Sequence, residues 1–199
     1  MTKSRAVDVR RLQSDVEWAL AKGLGPRDLV PMLERLRRHA PRGSEPACFA
    51  GTELAELVLH DSPWRSAVLA REVLQYVETD RAWAVLGLSL ALLGHYRAAK
   101  NAFDKALHLA PGCASYAHNL GHLLDAGLGR PHDALKWLER AIRAQPQDTE
   151  IAASYAHALL RAGRAEQARA VLEKSLPDAS RVTALLDRWT AAMSNDASG

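Results

Sequence analysis

The sequence predicts an all-α protein: a solenoid of helical hairpins with an N-terminal helical extension and a C-terminal capping helix. Three observations predict it. Apolar residues make up 48% of the 199, and Ala, Leu and Arg dominate while Phe and β-branched residues are sparse, which favours helix over sheet. Small and large apolar residues recur with a period of 34, clearest over Asp80–Cys113. Gly and Pro stand where each predicted helix should stop or start.

The head comes first in the chain. Val9, Leu12, Val16 and Leu20 mark an amphipathic helix to about Lys22, broken by Gly23 and Gly25. Leu29, Met32, Leu33 and Leu36 mark a second, with Pro31 expected in its first turn or at a kink. Neither helix reads as part of a repeat. Residues 40–46 (APRGSEP) are the predicted linker, so residues 1–44 form the extension and 45–199 the array. The head's apolar stripes are too small to fold alone and should dock on the next hairpin or on a second copy of the chain.

Residues 48–79 read as a degenerate 32-residue unit. Leu54, Ala55, Val58, Trp64, Ala67 and Leu74 match positions 7, 8, 11, 17, 20 and 27 of the period, whereas position 24 is Arg71. Ser44 before Glu45-Pro46 and Ser62 before Pro63 are expected N-caps, each with a proline in the first turn that follows. In residues 80–113 Trp83, Leu86, Gly87, Leu90, Gly94, Tyr96, Ala99, Phe103, Ala106 and Pro111 occupy positions 4, 7, 8, 11, 15, 17, 20, 24, 27 and 32. Small residues at 8 and 20 permit close helix approach, a left-handed Gly94 ends the first helix, and Pro111 stops the second.

Residues 114–148 repeat this with Leu120, Gly121, Leu124, Ala134, Leu138, Ala141 and Pro146. One extra residue is expected in the turn DAGLGRPHD, moving the glycine cap to Gly129. Residues 149–178 keep Tyr155, Ala156, Leu159, Gly163, Ala168 and Leu172, and Pro177 ends the second helix early. Val182, Leu185, Leu186, Trp189 and Met193 form the stripe of a capping helix over 179–193, followed by a frayed SNDASG. Some eight to eleven helices between residues 5 and 193 are expected in all.

Charge is uneven. Residues 1–43 hold ten Lys/Arg against five acids, while the whole chain is +3. Basic residues there alternate with acids and aliphatics, so the head is read as a solvated face and nucleic acid is disfavoured as a partner. Cys48 and Cys113 lack metal-ligand spacing and suit a reducing compartment. The charged N-terminus does not read as a secretory signal, and the longest nearly apolar run, residues 82–94, is too short to cross a bilayer. A cytoplasmic protein without a membrane partner is the expectation.

No phosphate-cradling glycine loop, HExxH, paired CxxC or nucleophile elbow is present. A noncatalytic protein without a cofactor follows as the expectation. His118, His122 and Asp125 share a helix face and His157 repeats the place of His122 one hairpin on, a set able in principle to ligate a divalent metal. The preferred reading is a polar groove lining, with no metal. Packing explains Trp64, Trp83, Trp137 and Trp189; Trp18 is unassigned.

The pattern over residues 80–176, and loosely over 48–79, resembles the tetratricopeptide repeat (TPR). That resemblance implies a right-handed superhelix that binds a partner peptide or helix along a concave groove. Positions 2, 5, 6, 9, 12 and 13 of each repeat would face it. Carried onto this chain, they give Arg81, Ala84, Leu88 and Leu92, then His118, Asn119, His122 and Asp125, then Glu150, His157 and Arg161. The carboxylate clamp of TPR cochaperones is not expected: Asn119 matches, but Ala84, Leu88, Glu150 and Ser154 stand where the other clamp residues would be. The architecture is also similar to class II chaperones of type III secretion, which implies a possible homodimer through the N-terminal helices. The predicted function is a scaffold or adaptor for a protein or peptide partner. The alternatives are such a chaperone, a nucleic-acid-associated adaptor or a regulatory subunit.

Overall fold

The computed structural model describes residues 7–176 and 178–196, without the side chains of 194–196. The expectations for a helix start at residue 5 and for Pro177 as a stop lie outside the described residues, as do 197–199 of the end expected to be frayed; the backbone of 194–196, expected to belong to that end, is helical. Among those described there are eleven α-helices and no strand: α1 (Val9–Ala21), α2 (Pro26–His39), α3 (Glu45–Leu57), α4 (Pro63–Leu74), α5 (Asp80–Leu92), α6 (Tyr96–Leu109), α7 (Ala114–His122), α8 (Pro131–Ala144), α9 (Thr149–Arg161), α10 (Ala165–Ser175) and α11 (Ala179–Asp196). No described helix is long and apolar enough to cross a membrane. The chain forms two compact units that divide between His95 and Tyr96, so α5 belongs to the first and α6 to the second.

In the first unit alternate helices are tied together. Gln13 of α1 donates to Glu45 of α3 at 3.2 Å, and Arg81 of α5 pairs with Glu53 and Glu56 of α3 at 2.8 and 2.7 Å. On the other side Arg37 and Glu34 of α2 pair with Glu72 and Arg65 of α4. Between these rows Val16, Leu29, Leu33, Leu36, Leu54 and Leu69 are buried. Each fully buried Leu contributes roughly 1.5–3 kcal/mol, so the helix faces, not the surface pairs, hold the unit. The head therefore docks on its own chain.

That head is itself a hairpin of the repeated kind, which its sequence hides. Gly23 has φ +69° and is followed by a bond from the Leu24 amide to the Ala19 carbonyl at 3.1 Å. Gly94, with φ +76°, is followed by the same closure, His95 to Leu90 at 2.8 Å. The connection after Gly23 is one residue longer. Buried Leu29, Leu33 and Leu36 thus stand one place later after their glycine than Ala99, Phe103 and Ala106 do after Gly94.

Several local expectations need correction. The predicted linker is a tight turn between α2 and α3, with Ala40 buried and Gly43, at φ +74°, lying against the ring of Tyr76. Ser44 and Ser62 occupy N-cap positions but make no side-chain cap bond; the Ser44 hydroxyl donates to the Pro41 carbonyl at 2.6 Å instead. Of the two places expected for Pro31 the first turn is excluded, since it lies in the interior of α2. Trp64, assigned to the core, is 68% exposed because it stands in the first turn of α4, ahead of the first buried residue, Ser66.

The second unit packs α6 to α11. A Cβ on Gly121 would lie 2.5 Å from Leu138 Cγ, so the small residue at position 8 is what lets α7 meet α8. Ala156, Leu159, Ala168, Leu172, Val182 and Leu186 form a buried cluster, with Leu185 and Trp189 packed against it, so α11 covers the last hairpin along the predicted stripe. The extra residue of the 114–148 repeat sits earlier than the turn. It is absorbed by a π-helical turn, Leu123–Gly127, that extends α7. Closure after Gly163 joins Arg164 to Leu159, five residues back, at 2.8 Å; after Gly129 it joins Arg130 to Leu124, six back, at 2.7 Å. Gly129 keeps the left-handed cap, φ +64°.

Candidate functional site

The first helices of successive repeats in the second unit, α7 with its π turn and α9, present most of the sequence-predicted site residues. The π turn decides what they do. Asp125 lies in it and is only 2% exposed, so it is not a groove residue open to a partner. Its carboxylate accepts from His157 Nδ1 at 2.5 Å and from Arg161 Nη1 at 3.0 Å, and its carbonyl accepts from the same Nη1 at 2.5 Å. A buried carboxylate needs such partners, because an unpaired one would be strongly disfavoured away from water. His157 also meets the edge of Trp189 from α11, ring centroids 5.2 Å apart.

His118 is half-buried and its Nε2 lies 2.9 Å from Ser154 Oγ of α9. Burial pushes its pKa below the ordinary 6.5; Glu150 and Asp148 pull it back only in part, and neighbouring His122 adds to the fall. His118 and His122 rings are 6.2 Å apart and tilted. Among the described residues no group of three His, Cys, Asp or Glu side chains is placed to hold a metal ion; His118 is engaged with Ser154, and Asp125 with His157 and Arg161.

The remaining predicted residues separate into two kinds. Asn119 is half-buried, His122 and Glu150 are exposed, and none of their side chains has a hydrogen-bond partner among the described residues. On α5 of the first unit, Ala84 is 4% exposed and offers a partner nothing. Arg81 is committed to Glu53 and Glu56, which together hold its guanidinium charged, while Leu88 is half-buried and Leu92 is 53% exposed. Sequence reasoning missed the pairing of Asp125 with Arg161. The signal was there, in an acid and a base at groove positions of adjacent repeats, but the π turn that brings them together was not legible.

No curated protein matches the chain by sequence. Solved structures do match by shape. A MamA crystal structure is 17% identical with TM-score 0.68, covering 85% of this chain and 96% of its own. MamA 41-end from Desulfovibrio magneticus RS-1 is 16% identical with TM-score 0.71, covering 87% and 100%. A MamA RS-1 double mutant reaches TM-score 0.72 at 15% identity over 90% and 98%. At these identities the likeness shows the fold alone. Two tetratricopeptide repeat models match the sequence, one over residues 84–148 and the other over 123–192, together more than half of the 199 residues. With left-handed glycine caps at Gly94, Gly129 and Gly163 and a close-packed Gly121 where that pattern requires them, the chain belongs to the tetratricopeptide repeat family.

Proposed function

We propose that this protein is a noncatalytic scaffold that holds a segment of a partner protein on the face shared by α7 and α9. Tetratricopeptide repeats serve as protein-interaction scaffolds, which supports the general role. One contrast carries the specific reading. Asp125, His157 and Arg161 satisfy one another, whereas Asn119, His122 and Glu150 beside them offer donors and acceptors that the fold itself does not use. A segment laid across them would gain register from these hydrogen bonds, each worth about 0.5–1.5 kcal/mol.

The test is affinity capture with quantitative mass spectrometry, comparing wild type and the Asn119→Ala/His122→Ala pair. Proteins that fall at least tenfold with the paired variant, at unchanged melting temperature, support the site. An unchanged captured set refutes it. A homodimer through the N-terminal helices would have to use their outward side, where Trp18 is 61% exposed, because Val16, Leu29, Leu33 and Leu36 are buried within the chain. Sedimentation velocity of wild type and Trp18→Ser decides that point.

A further inference from the structure

The first unit carries two clefts that the α7/α9 reading does not use. One, of about 580 Å³, opens where the ends of α2 and α4 meet the start of α3. Three arginines line it. Arg37 is neutralised by Glu72, but Arg38 and Arg42 are exposed and have no ion-pair partner among the described residues. The other, of about 460 Å³, is largely apolar, walled by Phe49, Val73 and Val77. Gly43, Cys48 and Val73 line both, so the clefts adjoin. The Gly43 turn between them admits no side chain: a Cβ there would run into the Tyr76 ring at 2.4 Å.

We propose that the paired clefts form a docking site for a short extended protein segment that carries a carboxylate side chain next to a large apolar one. The carboxylate lies against Arg38 and Arg42, whose guanidinium forks match its two oxygens. The apolar side chain enters between Phe49, Val73 and Val77. Charge argues for a protein segment over nucleic acid. A phosphate backbone needs a run of cations, whereas here, among the described residues, only two arginines are unpaired: Glu72 and Glu34 on the cleft wall are taken up by Arg37 and Arg65, and the adjoining cleft carries the acid Glu45. A single carboxylate fits two arginines, and an apolar pocket has no use for a sugar-phosphate. This surface is independent of the α7/α9 reading, and either can fail without the other.

The experiment uses the full chain on immobilised peptides with randomised flanks around a fixed core: Asp-Asp-Phe, Lys-Lys-Phe or Asp-Asp-Ser. Retention on the first should exceed the other two at least fivefold, and Arg38→Glu/Arg42→Glu should abolish that excess. Both side chains are exposed, and Arg38→Gln/Arg42→Gln serves if the charge reversal perturbs folding. Val77→Asp should lose the preference for Phe over Ser while keeping that for Asp over Lys. Bound Asp-Asp-Phe peptide should slow alkylation of Cys48, which lines both clefts, relative to Cys113. Equal retention on all three pools, or an excess that survives loss of both arginines, overturns the proposal. So does an arginine-dependent retention seen on single-stranded RNA and absent on the peptides.

Discussion

Replacing Arg161 by Met should destabilise the protein by about 2–3 kcal/mol, and the structure says why the value is neither smaller nor larger. An exposed ion pair contributes about 1 kcal/mol or less, but Asp125 is 2% exposed and cannot turn to solvent when its partner goes. Breaking a buried pair from one side typically costs about 3–5 kcal/mol, because the surviving charge is stranded. Two features pull the figure below that range: Arg161 itself is 28% exposed, which admits some water, and His157 still donates at 2.5 Å. The same reasoning makes the double variant informative. Removing the stranded charge as well, in Asp125→Leu/Arg161→Met, should recover at least about 1.5 kcal/mol of the loss, far outside the few tenths expected of independent sites. The assay is urea unfolding of the four proteins of the cycle, followed by helical circular dichroism and by tryptophan fluorescence, since the second unit contains Trp137 and Trp189. A single-variant cost under about 0.5 kcal/mol, or additive effects around the cycle, would show that the buried pair does not couple α7 to α9.

Three further outcomes are expected. Gly121→Ala should lower stability by about 1–2 kcal/mol, because overpacking against Leu138 outweighs the better helix propensity of Ala; a raised melting temperature would refute the close approach. His118 has its folded pKa lowered by burial, so the folded state binds fewer protons there than the unfolded chain; its contribution is complete above the unfolded value near 6.5 and is lost as pH falls below it. His118→Gln should accordingly flatten the stability–pH curve just below 6.5, and a curve of unchanged slope would exclude His118 as its source. Burial and, second, the carboxylate of Glu45 hold the Cys48 thiol above its ordinary range, so Glu45→Gln should speed its alkylation by iodoacetamide at pH 8.5, and an unchanged rate would remove Glu45 from the account.

The repeats of residues 80–176 were legible because their glycine caps and small packing positions are chemical necessities that few residue types meet. The head was legible as two helices but not as a hairpin of the same kind, since one residue added after Gly23 moves every later apolar position out of step with the period. The site was legible as positions more than as environments. His122 and Glu150 are exposed where the register put them; Asp125 is buried because its helix changes pitch, and helix pitch has no side-chain signature. Trp64 shows the opposite error: a large apolar residue at a packing position, left uncovered because its helix begins there.

The widened turn at Leu123–Gly127 separates two properties that a regular helix keeps locked together, contour length and angular phase. An added residue in an α-helix rotates everything after it by about 100°, which would swing Leu138 and Ala141 away from the partners they need. Confined to one slack turn, the same residue leaves Gly129 in its left-handed cap and α8 in phase, while the carbonyl of Asp125 is captured by Arg161. The array can therefore change the length of a repeat without retuning its neighbours, at the cost of a local irregularity that a charged side chain from the next hairpin clamps in place.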